Sequence, residues 1–255
     1  MSKQIIEADP NRVKDYVGLN PFRSLKISEF FSETIQAEGV SAGMPAAFLR
    51  VADCTLSCIF CDSKTVWRFG NFYSFEELWK LMEDANLPQQ FVNGVRLVLT
   101  GGSPLKAELQ LINFIKEFIE RYGFKPYIEV ENECTLMPSE EFITLVDQWN
   151  NSPKLNNSNM PQKVCYKPKI LKRLSELGNS WFKFVFSEES DWYEIESNFI
   201  EPGLIRREQV IIMPEGENRS RLHWTRELAV NVAIREGVRY SDRLQIILWD
   251  NKKGV

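Results

Sequence analysis

Three cysteines within eight residues constrain this chain more than anything else in it. They lie in Cys54-Thr-Leu-Ser-Cys58-Ile-Phe-Cys61, a C-x3-C-x2-C spacing followed at once by Asp62-Ser63. Thiolates suit soft metals and are the usual protein ligands of iron–sulfur clusters. A structural zinc site is normally closed by four protein ligands. The other candidates, Cys134, Cys165 and the single histidine His223, are all distant in sequence. A cubane cluster held by three cysteines leaves one iron open for a small ligand. The competing reading is a zinc knuckle completed by Cys134 or His223. Five cysteines with three clustered do not read as a disulfide framework, and a thiolate site fits a reducing compartment.

The rest of the composition excludes more than it assigns. At 255 residues the chain can bury one sizeable core, and its 44% apolar content is that of a globular protein. No apolar run approaches a membrane span, and Met-Ser-Lys-Gln at the start has no signal-peptide character. The expectation is a soluble, cytoplasmic protein. A net charge of −4 with no basic block gives no nucleic-acid footprint.

Along the chain, residues 1–24 carry little pattern and read as an N-terminal extension to a single domain over 25–255. Met44–Val51 reads as a buried strand running into the cysteine loop, and Val95–Thr100 as a second, followed by Gly101-Gly102-Ser103-Pro104. Ser74 with Glu77 forms a capping-box pattern before a helix. Ala107–Tyr122 shows helical spacing with a Gly123 stop. Lys125–Glu131, Trp181–Phe186, Gln209–Met213 and Leu244–Trp249 read as strands. Ser139–Trp149, Pro168–Leu177 and Arg221–Arg235 read as helices, and Asn150–Asn159 as a working loop. Alternating strands and helices predict an α/β fold with a mostly parallel sheet, and about six units suit an incomplete (β/α)6-type barrel with motifs at the strand C-termini.

The cysteine loop after one strand and the Gly-Gly turn after the next resemble the radical S-adenosylmethionine (SAM) superfamily. Ser103 stands where that superfamily usually has glutamate. Further stretches resemble the 7-carboxy-7-deazaguanine synthase family: Gln36-Ala-Glu38-Gly39, Arg50, Cys61-Asp62-Ser63, Ser152-Pro-Lys154, Met213-Pro-Glu-Gly216 and the tail Trp249–Val255. A glycyl-radical activase shares the cysteine spacing, and a non-catalytic iron–sulfur or zinc protein is the reading from another class; the Ser-Pro-Lys and Met-Pro-Glu-Gly pair argues against the activase.

The family resemblance implies a 4Fe-4S cluster, SAM and Mg2+ as cofactors, 6-carboxy-5,6,7,8-tetrahydropterin as substrate, a flavodoxin-like or other electron donor, and a homodimer. It implies radical ring contraction with loss of ammonia, in a 7-deazapurine or queuosine-type pathway. By the same resemblance Cys54, Cys58 and Cys61 hold the cluster, and Ser63 helps to hold Mg2+. Phe60, Gly101, Gly102, Ser103, Ser152 and Lys154 bind SAM, the glycines because lack of a Cβ allows close backbone approach. Arg50 offers a planar two-pronged donor to the pterin carboxylate, with a buried salt bridge as its alternative role. Glu131 suits the N–H donors of the pterin's amino-pyrimidinone edge, with Glu129 and Glu133 as rivals. Gln36 and Glu38 are further substrate candidates, as is Gln245, which stands where many relatives carry histidine.

Overall fold

In the computed structural model, which describes residues 2–10, 19–252 and 254, one sheet carries the chain. Its strands are β1 (Lys3–Glu7), β2 (Ser24–Ile35), β3 (Pro45–Val51), β4 (Asn71–Ser74), β5 (Arg96–Gly101), β6 (Ile128–Asn132), β7 (Gln148–Asn151), β8 (Ser180–Phe186), β9 (Val210–Pro214) and β10 (Arg239–Tyr240). The order is β1-β2-β3-β5-β6-β7-β8-β9-β10, with β4 pairing to β2. From β3 to β10 every neighbouring pair is parallel; β1, β3 and β4 meet β2 antiparallel. Among the described residues β1 and β10 do not meet, so the barrel stays open. The expected α/β architecture with a mostly parallel, incomplete barrel is the one observed.

Local chemistry explains the elements that were legible. Ser74 and Glu77 form the full capping box at the start of helix Phe75–Asp84. Helix Glu108–Tyr122 stops at Gly123, whose φ of 74° is a left-handed cap that glycine adopts without strain. These two helices cover the sheet through aromatic packing, with Trp79 stacked on Phe114 at 4.6 Å between ring centroids. Burying side chains of this size stabilises the fold by roughly 1.5–3 kcal/mol each.

Three expectations are corrected. Of the expected surface extension over residues 1–24, Lys3–Glu7 is an edge strand with Ile6 in the core, while residues 1 and 11–18 lie outside the described residues. The expected helix Ser139–Trp149 ends at Leu145, and Gln148–Asn151 is strand β7. Val146 turns extended, Asp147 accepts the Ile128 N–H, and Trp149 becomes fully buried edge-on to Phe142. Leu244–Trp249 is a helix, not the closing strand. A six-residue apolar run does not distinguish the two by periodicity. Among the described residues no helix is long and apolar enough to cross a membrane.

Candidate active site

A cavity of about 310 Å³ opens at the C-terminal ends of the parallel strands, and the cysteine loop after β3 forms part of its wall. Cys54, Cys58 and Cys61 all line it, and none is in a disulfide. Burial first, then the Glu133 carboxylate and the neighbouring cysteines, push the Cys54 thiol up to about 11, and burial raises Cys58 as well. Metal binding selects the thiolate, so such thiols release protons as they are loaded. The candidates for a fourth zinc ligand are elsewhere. His223 is exposed on helix Arg219–Glu236, Cys134 is fully buried off the cavity, and Cys165 packs against Leu56 and Cys58 without reaching it.

The Gly101-Gly102 turn is glycine for a reason internal to this loop. A Cβ on Gly101, at φ 144°, would lie 2.2 Å from the Val51 carbonyl oxygen; one on Gly102 would lie 2.2 Å from that of Asp53. The turn therefore presses onto the backbone that presents Cys54, and it still borders the cavity. Ser103, next in line, is fully buried and off the cavity; its hydroxyl donates to Glu133 Oε1 at 2.6 Å. Phe60, Ser152 and Lys154 line the cavity, with Lys154 Nζ donating to Ser152 Oγ at 2.8 Å. Ser63 precedes the short helix Lys64–Trp67 but makes no side-chain cap, and its hydroxyl lies 3.9 Å from Cys61 Sγ.

Strand β6 places Glu129 and Glu131 on one face, because alternate residues of a strand point the same way, and Glu133 follows directly after the strand. Each carboxylate has a different fate. Glu129 is fully buried and closed off by Arg96, Gln148 and Asn150, which removes it as a rival for ligand binding. Glu131 lines the cavity and takes Gln36 at 3.0 Å and Lys183 at 3.2 Å. Burial raises its carboxyl above the usual range, against the pull of Lys183.

Glu38 stands beside it in a denser network. Lys183 Nζ donates to its Oε2 at 2.6 Å, while Arg243 Nε (3.0 Å) and Gln245 Nε2 (2.6 Å) donate to its Oε1. Burial works against the Glu38 charge, but Lys183 and Arg243 outweigh it and hold the carboxyl well below its usual range. Arg243 also binds Asp62 and the carbonyl of Gly216, joining the cysteine loop to the Met-Pro-Glu-Gly turn. Arg50 makes the buried salt bridge weighed for it and still borders the cavity. Its Nε donates to Glu29 at 2.8 Å and its Nη1 contacts the Gly101 carbonyl at 3.4 Å.

Sequence reasoning missed Lys183, Arg243 and Trp67. Lys183 had a signal: a lysine inside Trp-Phe-Lys-Phe-Val-Phe is costly to bury unless paired, so it implies a facing carboxylate. Arg243 and Trp67 had none.

Comparisons with known proteins point to one family. A family model described as a 4Fe-4S single cluster domain matches residues 35–136. The 7-carboxy-7-deazaguanine synthase of Pyrobaculum aerophilum is 31% identical over 232 residues, covering 90% of this chain and 97% of the relative. That of Halobacterium salinarum is 28% identical, covering 89% and 91%, and that of Bacillus cereus 24%, covering 91% and 99%. The crystal structure of QueE from Escherichia coli shares the fold with a TM-score of 0.62 at 20% identity, over 87% of this chain and 94% of that one.

An open parallel barrel with a three-cysteine loop at its strand ends defines an iron–sulfur enzyme of the radical SAM class. Within that class, the chain belongs to the 7-carboxy-7-deazaguanine synthase family.

Proposed function

We propose that this protein converts 6-carboxy-5,6,7,8-tetrahydropterin to 7-carboxy-7-deazaguanine by radical ring contraction with loss of ammonia. The observation that carries the reading is that Arg50 on β3 and Glu131 on β6 border the same cavity as the cysteine loop. With β5 between them, the two strands lie roughly 10 Å apart, a span suited to a fused bicyclic ring bearing a carboxylate. The three thiols fit a cluster with one open iron, and Lys154 with Ser152 fits an amino-acid carboxylate. When bound, the cluster and SAM supply hydrogen-atom abstraction, and a flavodoxin-like or other donor supplies the electron.

The chain's own residues bind and orient. Arg50 holds the pterin carboxylate through the face of its guanidinium not engaged by Glu29. Glu131 accepts from the amino-pyrimidinone edge, and Gln36 and Lys183 fix its rotamer. Glu38 has donors on both oxygens, so it acts by holding Gln245 and Lys183 in place. Gln245 turns a buried carbonyl oxygen without a partner among the described residues, free to accept a ring N–H. The Ser63 hydroxyl, free of capping duty, joins substrate oxygens and water around Mg2+.

The test is anaerobic: protein reconstituted with iron and sulfide is incubated with SAM, reductant and the carboxytetrahydropterin. The expected result is the deazapurine chromophore with one equivalent of ammonia. SAM cleavage without either product would overturn the assignment of substrate.

A further inference from the structure

Glu133 carries a buried carboxylate that the rest of the protein leaves half used. It follows β6 directly, is 6% exposed, and lines the cavity beside the cysteine loop. Its Oε1 lies 2.6 Å from the hydroxyls of Ser103 and Thr135 and 2.9 Å from that of Thr55. Its Oε2 is buried and has no hydrogen-bond partner among the described residues. Among the described residues no lysine or arginine pairs with it, unlike Glu129, Glu131 and Glu38. A buried carboxylate with one oxygen held and the other bare is costly, and a small cation donor arriving from the cavity removes that cost.

The three hydroxyls come from three separate places in the chain and converge on this carboxylate. Thr55 belongs to the cysteine loop, Ser103 to the Gly-Gly turn after β5, and Thr135 to the segment after β6. They fix the carboxylate on the wall of the cavity that Cys54 also lines. Ser103 itself is neutral, fully buried and spent on Glu133, so it offers the cavity neither a charge nor a free oxygen. Lys154 and Ser152, which suit an anion, border the same cavity. An α-amino acid end, with its carboxylate on one pair and its ammonium on the other, matches this combination of charges. SAM carries such an end.

We propose that Glu133 is the residue that receives the α-ammonium of SAM, through Oε2, with Thr55, Ser103 and Thr135 as the residues that position it. This rests on the radical SAM reading of the site but not on the identity of the pterin. The ammonium donates a charge-assisted hydrogen bond, and the hydroxyl cradle keeps the carboxylate in place before SAM arrives.

The test measures SAM binding to the full-length, cluster-loaded protein by calorimetry, and the change that SAM causes in the electron paramagnetic resonance signal of the reduced cluster. Glu133→Gln keeps the shape and removes the charge. We expect iron and sulfide content to be unchanged and SAM affinity to fall about 10- to 100-fold, the range of a hydrogen bond to a charged group. The wild type should discriminate to a similar degree against a SAM analogue lacking the α-amino group, and Glu133→Gln should not. Ser103→Ala should weaken SAM binding by a smaller factor. Undiminished SAM affinity in cluster-loaded Glu133→Gln overturns the proposal. So does equal affinity of the wild type for SAM and the deamino analogue, a measurement that needs no variant. If Glu133 behaves as expected but no deazapurine forms, the substrate assignment fails and the role of Glu133 stands.

Discussion

The indole N–H of Trp67 donates a hydrogen bond to Cys61 Sγ at 3.3 Å, reaching back from the short helix that follows the cysteine loop. Indole is a donor only, so the bond has a fixed direction. Donors to cluster sulfurs stabilise the extra negative charge of the reduced state and raise the potential. Trp67→Phe should therefore leave a loaded cluster with a more negative midpoint potential, seen in a redox titration. An unchanged potential would show that the contact is packing alone.

The cysteines divide cleanly between cavity and core. Alanine at Cys54, Cys58 or Cys61 should abolish cluster loading and SAM cleavage, because no other thiol lines the cavity among the described residues. Cys134→Ala and Cys165→Ala should keep both. Cys134 is fully buried, so its loss should destabilise by about 1 kcal/mol in a denaturant titration. Normal iron in Cys58→Ala would end the cluster assignment.

Glu131→Gln should weaken pterin binding far more than SAM binding, by about 2–5 kcal/mol if the bound site is dry. For Arg50, alanine would strand Glu29, whose partner it is. Arg50→Lys keeps a cation there and removes the planar fork, so it is the cleaner probe of the carboxylate contact. Parallel loss of SAM and pterin affinity would indicate a damaged fold instead.

The Glu38 network gives a pH signature of stability. Its folded carboxyl lies below the unfolded value of about 4.3, because Lys183 and Arg243 outweigh its burial. Its stabilising contribution is therefore complete above that value and is lost as pH falls through the lower folded one. Glu38→Gln should melt below the wild type at neutral pH, and the difference should shrink in acid. A gap that stays constant into strong acid would mean the carboxylate charge contributes nothing.

Turnover should rise on adding Mg2+, and Ser63→Ala should lose most of that rise while keeping its cluster. Ser63→Thr should retain it. Equal wild-type rates in chelator and in Mg2+ would remove the ion from this site.

Legibility in the sequence followed how local each signal is. The cysteine loop, the capping box at Ser74 and the Gly123 stop are spelled out within a few residues, and all three stand in the structure. Strand β7 was hidden because its inward residues Gln148 and Asn150 are polar. They are buried to hydrogen-bond Glu129, so the strand lacks the apolar alternation that marks others. Arg243 was equally hidden, since its partners Glu38, Asp62 and Gly216 come from distant parts of the chain. Arg50 and Glu131 were readable as charges in apolar strands, and Lys183 carried the same signal, but which charge pairs with which was not readable, because Glu29 and Lys183 come from other strands.

Strand β6 works as a depth gauge for this cavity. Its two carboxylates sit two residues apart on one face, Glu129 sealed beneath the cavity and Glu131 on its wall, and Glu133 follows just past the strand, lining the cavity with the cysteines. Each step of two residues is about 6.5 Å along the strand. Because both edges of β6 are paired, to β5 and to β7, the spacing cannot relax locally. A one-residue insertion in β6 ahead of Glu129 would turn Glu129 and Glu131 into the layer now filled by Ile128 and Val130, and the sealed floor and the wall would be lost together.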